Sequence, residues 1–150
     1  MRAVIQRVRE AYVKVEDELV ARIGKGLVVL VGVEKDDSEK DADYLCEKIC
    51  NLRIFEDDKG KFNFSLKDIG GELLVVSQFT LLADCRKGRR PSFERAEEPK
   101  KAETLYEYFI ERAKKEGIKV LCGRFQKMMD VSIVNYGPVT IVLDTKRLTF

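Results

Sequence analysis

The sequence predicts an α/β fold: a single domain of mixed β-sheet layers with two main helices, over residues 1–150. Three observations carry this. Alternating or wholly apolar, β-branched segments recur at the start, middle and end of the chain, as strands do. Two stretches between them repeat apolar residues at helical spacing. No linker, internal repeat or low-complexity tract divides the chain, and 150 residues is an ordinary single-domain length. Such a chain buries about 69% of its unfolded surface, enough for one core without disulfides or metals.

The elements follow in order. Ala3, Val4, Ile5 and Val8 fit an opening strand. Ala11, Val13 and Val15 alternate with Tyr12, Lys14 and Glu16, the pattern of a half-buried strand. Glu16–Asp17–Glu18 reads as a hairpin tip, with Leu19 to Ile23 returning and Gly24–Lys25–Gly26 as punctuation. Leu27 to Val33 is apolar throughout and reads as a central strand buried on both faces. Ser38 and Asp41 mark a helix start, and Ala42, Leu45, Cys46, Ile49 and Leu52 form its apolar stripe. Asp57–Asp58–Lys59–Gly60 is a turn, and Leu73 to Val76 is a buried strand entered through Gly70–Gly71. Pro99 opens a second helix whose stripe is Ala102, Leu105, Tyr106, Phe109, Ile110 and Ala113, with Gly117 as its stop. Val131 to Val134 and Val139 to Leu143 read as strands flanking Asn135–Tyr136–Gly137–Pro138. Proline costs a central strand a ladder bond, so Pro138 belongs at a turn or an edge.

Composition narrows the chemistry. The chain has no histidine, which excludes Ser-His-Asp and Cys-His catalysis and His-ligated metals. The net charge is +2, so bulk charge does not call for a nucleic-acid partner. The start has no long apolar segment of a secretory signal, and Leu27 to Val33 is far short of the ~20 residues of a membrane span. The expected location is therefore cytoplasmic, with Cys46, Cys50, Cys85 and Cys122 as reduced thiols.

Four features are candidates for chemistry. Cys46 and Cys50 share a helix face, but a zinc site needs further ligands, and core packing is the simpler reading. Glu34 to Asp43 holds six carboxylates, read as mostly solvated and favouring a helix start. Cys85 to Arg95 carries five cations against one anion in a loop marked by Gly88 and Pro91. It reads either as a phosphate-contacting surface or as a solvated loop. Ser77–Gln78–Phe79–Thr80 follows a buried strand, where α/β sheets place ligands and where main-chain N–H groups can hold an oxyanion. The same residues also read as a polar strand end whose hydroxyls cap nearby backbone.

Taken together, the segments resemble the D-aminoacyl-tRNA deacylase (D-tyrosyl-tRNA deacylase) family over essentially the whole chain. The resemblance rests on Ile5–Gln6–Arg7–Val8, Leu30–Val31–Gly32–Val33, Arg53–Ile54–Phe55 and Val75–Val76–Ser77–Gln78–Phe79–Thr80–Leu81. It extends through Arg90–Pro91–Ser92–Phe93, Gly123–Arg124–Phe125 and Asn135–Tyr136–Gly137–Pro138–Val139–Thr140. Tyr136 departs from the family's usual acidic or polar residue, while the Gly-Pro pair is intact. The resemblance implies a deacylase-type fold and a homodimer with active sites at the subunit interface. It implies hydrolysis of the ester of D-aminoacyl-tRNA, and of mischarged glycyl-tRNA, releasing amino acid and tRNA as chiral proofreading. It implies no cofactor, no metal and no membrane partner.

The site residues carry over as follows. Ser77, Gln78, Phe79 and Thr80 would line the reacting ester. A cis Gly137–Pro138 bond would present carbonyls to the partner's pocket and exclude L-amino acids. Arg7 would support that loop, Phe125 and Met129 would flank the terminal adenosine, and Arg86, Lys87, Arg89 and Arg90 would contact acceptor-stem phosphates. Without histidine, water attack assisted by the ribose 2′-hydroxyl is the expected mechanism, with the Phe79 and Thr80 N–H groups on the carbonyl oxygen; Thr80 as nucleophile is the alternative. The rival functions are a non-catalytic tRNA-binding module and a synthetase-type editing domain.

Overall fold

The opening strand continues into the alternating segment: the first strand, β1, spans Arg2–Val15, its burial alternation interrupted only at Arg7 to Glu10. The structure, a computed structural model, describes residues 1–147. β2 (Glu18–Ile23) returns antiparallel to the second half of β1, across a tip where Glu16 and Asp17 have positive φ. β3 (Gly26–Gly32) pairs with the first half of β1. Next come α1 (Glu39–Asn51), a short hairpin of β4 (Phe55–Glu56) and β5 (Phe62–Phe64), and β6 (Glu72–Ser77). A 3₁₀ turn (Phe79–Leu82), α2 (Pro99–Lys115), β7 (Lys119–Cys122) and β8 (Asp130–Asp144) complete the order.

The main sheet runs β2-β1-β3-β6-β7, and β8 pairs with β1. β3, β6 and β7 are mutually parallel. Parallel central strands are buried on both faces, which explains the unbroken apolar runs of β3 and β6. Leu27, Val29, Leu73 and Val75 face one core with Leu45, Ile49 and Phe109 from the two helices. Val28, Leu74 and Val76 face a second core with Val8, Val13 and Ile23. Each such fully buried side chain stabilises the fold by about 1.5–3 kcal/mol relative to exposure.

The helix ends follow the sequence. Asp41 Oδ2 accepts hydrogen bonds from the Ser38 N–H (2.8 Å) and hydroxyl (3.1 Å) at the start of α1. Pro99 sits at the first turn of α2, and Gly117 beyond its end has φ +82°. Cys46 and Cys50 are fully buried in the core, their sulfurs 3.9 Å apart.

Two expectations need correction. The two strands expected around Asn135–Pro138 are one strand, β8, whose register against β1 jumps from Val8↔Asn135 to Gln6↔Thr140. Tyr136 to Val139 therefore have no partners in β1, and they leave the ladder without ending the strand. The opening strand and the alternating one are likewise a single β1. The acidic segment is mostly exposed or half-exposed, as expected, with two exceptions: the Asp37 side chain is fully buried and that of Glu34 is 10% exposed.

One carboxylate ties the turn before β6 to α2. Glu116, just past α2, accepts from Lys67 Nζ and from Arg112 Nη1, each at 2.5 Å. The Lys67 hydrogen bond, then that of Arg112, holds its carboxyl below the ordinary glutamate value. A carboxyl depressed in the folded state adds stability above its unfolded pKa and loses it as pH falls through the folded one. The melting temperature should therefore drop below about pH 4, and Glu116→Gln should flatten part of that drop. An equally steep acid limb in the variant would show that the cluster contributes nothing.

Candidate active site

The buried segment of β6 ends at Ser77, and the Gln78 N–H donates to Val31 O (2.8 Å), extending the β3 ladder by one bond. The chain then turns through Gln78 (φ −145°, ψ 79°) into the 3₁₀ turn. This turn sits hard against β3. A Cβ on Gly32 would lie 2.5 Å from Leu82 Cδ2 and 3.0 Å from Gln78 O, so only glycine admits the approach. Leu82, fully buried, anchors the far end of the turn. Phe79 and Thr80 open it, so their N–H groups have no carbonyl within the turn to donate to. Gln78 Nε2 donates to Thr80 Oγ1 at 2.5 Å and fixes both side chains.

A cavity of about 880 Å³ opens here. Ser77, Gln78, Phe79 and Thr80 form one side, and Phe125 and Met129 form another. Six residues singled out in the sequence, separated by up to 52 positions, thus meet around one space. Phe93 closes a third side, its ring edge-on to Phe79 with centroids 5.1 Å apart. Phe125 rests on Tyr106 with centroids 5.7 Å apart. The buried Tyr106 hydroxyl donates to Val75 O (3.0 Å), and burial pushes its pKa well above the ordinary tyrosine value.

The other expected residues lie elsewhere. Arg7 is buried; its Nε donates to Tyr136 O and its Nη1 to Ile54 O, each at 2.8 Å. Its guanidinium also stacks on the Tyr136 ring, 4.8 Å from the centroid. Arg7 therefore grips the unpaired stretch of β8 just before Gly137. The Gly137–Pro138 bond is cis, and both residues are exposed. Neither they nor Arg7 line the cavity of their own chain.

The basic loop is closed at its base by paired backbone bonds between Asp84 and Ser92 (2.8 and 3.0 Å). Arg86 forks onto Asp84, with Nη2 at 2.6 Å from Oδ2, and holds that carboxyl well below the usual range. Arg86 itself remains 86% exposed, and Lys87, Arg89 and Arg90 are exposed beside it. Arg95, counted with this basic run in the sequence, turns inward to Glu34 instead (2.6 Å).

The arrangement offers main-chain donors for a carbonyl oxygen, an amide and a hydroxyl to orient a substrate, and aromatic walls for a planar group. The side-chain partner of Thr80 is the Gln78 amide, which takes no proton at neutral pH, while the carboxylates of Glu97 and Glu98 line the same cavity. Sequence reasoning did not assign Phe93 or Tyr106 to the site. Phe93 sat in a quoted motif without a role, and Tyr106 was one member of a helical stripe.

A family model described as D-Tyr-tRNA(Tyr) deacylase matches residues 4–144. A D-aminoacyl-tRNA deacylase of Caldicellulosiruptor bescii is 60% identical over 148 residues, covering 99% of each chain. One of Aquifex aeolicus is 57% identical over 148 residues, covering 99% of this chain and 100% of its own. Among solved structures, the c-Myc DNA Unwinding Element Binding Protein matches with a TM-score of 0.91 at 41% identity, covering 97% of this chain and 99% of that one. A probable eukaryotic D-amino acid tRNA deacylase matches with a TM-score of 0.80 at 18% identity, covering 95% and 97%, a likeness of fold alone. With a family match across nearly its full length and relatives this similar, the chain belongs to the D-Tyr-tRNA(Tyr) deacylase family.

Proposed function

We propose that this chain hydrolyses the ester of D-aminoacyl-tRNA, releasing free D-amino acid and tRNA, and that it spares L-aminoacyl-tRNA. The observation that carries this reading is the cavity at the end of β6. It combines main-chain donors that have no acceptor within the 3₁₀ turn, Gln78 and Thr80, and an aromatic wall in a chain without histidine. The Phe79 and Thr80 N–H groups hold the carbonyl oxygen as it gains charge. Gln78 orients the ester, Ser77 lines its base, and Phe125 and Met129 take the terminal adenosine, a ring on which a base stacks. Water attacks, helped by the ribose 2′-hydroxyl of the substrate.

The test is turnover of D-tyrosyl-tRNA by the purified protein. The reading expects ester loss; binding of tRNA with no turnover would leave a non-catalytic tRNA-binding module. In Thr80→Ala the reading expects reduced but measurable hydrolysis. Complete loss with tRNA binding intact would make Thr80 the nucleophile.

The chiral wall belongs to the same proposal. Gly137 and Pro138 are exposed on an edge strand, gripped from behind by Arg7, and do not face their own cavity. In a homodimer they would enter the partner's cavity and meet an L side chain with main-chain atoms, which yield less than a side chain. A D-amino acid fits, and so does glycine, which makes glycyl-tRNA a further substrate. Two observations support the dimer. Val134, Tyr136 and Val142 of β8 are 47%, 39% and 42% exposed. The surface of 9150 Å² also exceeds the roughly 7,800 Å² usual for a monomer of this mass.

Arg86, Lys87, Arg89 and Arg90 contact acceptor-stem phosphates in this reading. The Arg89→Ala/Arg90→Ala double variant should weaken tRNA binding and lower the log–log salt slope by about 1.5, from two lost phosphate contacts. An unchanged slope would remove the loop from the tRNA footprint.

A further inference from the structure

We propose that Glu34 and Arg95 are positioning residues, whose ion pair sets Phe93 against Phe79 and so fixes the aromatic wall beside the 3₁₀ turn. The inference rests on the deacylase reading of that cavity. Arg95 Nε and Nη2 both donate to Glu34 Oε1, at 2.8 and 2.6 Å. The acceptor is itself clamped: the Glu34 N–H donates to Asp37 Oδ2 (2.6 Å), and Asp37 pairs with the buried amino group of Met1 (2.7 Å). The ion pair therefore has one rigid end, the buried Glu34, while the Arg95 side chain stays 34% exposed.

Arg95 lies within the turn closed by the Ala96 N–H on Phe93 O (3.0 Å). Backbone bonds hold this stretch on both sides: Ser92 to Asp84, Lys35 N–H to Arg95 O (3.0 Å) and Glu97 N–H to Val33 O (3.0 Å). Phe93 is the residue between these anchors that reaches the cavity and touches Phe79. The Arg95 fork resists rotation of the turn about its anchors, because a planar guanidinium holding one oxygen by two N–H groups has a fixed direction. Phe79 carries one of the proposed oxyanion donors, so a displaced Phe93 reaches the chemistry through it.

The test compares Arg95→Ala, Phe93→Ala and the double variant on D-tyrosyl-tRNA. Arg95→Ala should lower kcat about tenfold, less than the ~10²-fold that a full 1 Å misplacement of reacting groups can cost, with affinity for uncharged tRNA unchanged. In the Phe93→Ala background the same substitution should have no further effect on kcat. Arg95→Lys should recover only part of the activity, since an ammonium lacks the fork. Losses that multiply in the double variant, or weakened tRNA binding at full kcat, would overturn the proposal. If Arg95→Ala fails to fold, Glu34→Gln is read in the same way. The proposal is also read without turnover. In protein labelled with 4-fluorophenylalanine, the ¹⁹F resonance of position 93, assigned with Phe93→Leu, should shift in Glu34→Gln. An unmoved resonance would overturn it, whereas an inactive wild-type protein would overturn the deacylase reading alone.

Discussion

Phe79→Pro should lower kcat for ester hydrolysis about 10²–10³-fold below Phe79→Ala, the usual cost of one lost oxyanion donor. The two variants share the loss of the ring and its contact with Phe93. They differ in the Phe79 N–H, in whose place proline carries its ring Cδ. The backbone accepts the change. Phe79 is the first residue of the 3₁₀ turn, where proline is at home, and Gln78 before it has ψ 79°, outside the helical region that proline disfavours. Single-turnover hydrolysis of D-tyrosyl-tRNA reads the difference directly. Equal rates for the two variants would mean that the Phe79 amide does not hold the developing oxyanion.

Gly26→Ala should cost more stability than alanine at any other glycine of the chain. Gly26 begins β3 and pairs with Glu72 of β6 in the parallel ladder. A Cβ there would lie 1.8 Å from Glu72 O and 2.8 Å from Glu72 C and N. These are backbone atoms in a central strand, so no side-chain movement relieves the clash. The ladder must part at the point where β6 starts toward the active site. The expected loss is above ~4 kcal/mol, a large share of the ~5–15 kcal/mol that holds a domain together. Urea denaturation would show it as a collapsed midpoint or an unfolded protein. A midpoint near that of wild type would mean that β3 and β6 are not this close.

The strongest sequence signals proved to be those set by local patterns. Both helices lie where their apolar stripes and end residues place them, because a 3.6-residue period and a capping residue act within a few positions. β3 and β6 were legible because parallel strands buried twice need uninterrupted apolar runs. β7 has four residues, two of them only partly buried, and carries too short a pattern to read. β4 and β5 flank a turn that was legible, but strands of two and three residues have no periodicity. β8 looked like two strands because Gly137 and Pro138 break its alternation. Its continuity depends on β1, which is more than a hundred residues away in the chain.

The candidate site divides in the same way. Ser77 to Thr80 stood out because polar residues follow a buried strand. The resemblance to a known family, rather than periodicity, singled out Phe125 and Met129, and the structure gathers them at the same cavity. Glu34 and Asp37 looked like members of a solvated acidic run. Their burial comes from Met1 and Arg95, partners 36 and 61 residues away. Charge runs show composition, whereas burial depends on which distant cation the fold delivers.

The most direct test of the central claim is hydrolysis of matched D-tyrosyl-, L-tyrosyl- and glycyl-tRNA by the purified protein, followed as loss of ester over time. The account predicts rapid loss of the D and glycyl esters with the L ester spared, and a loss of that discrimination when Gly137 or Pro138 is replaced. Equal cleavage of the D and L esters by the wild-type protein would contradict it.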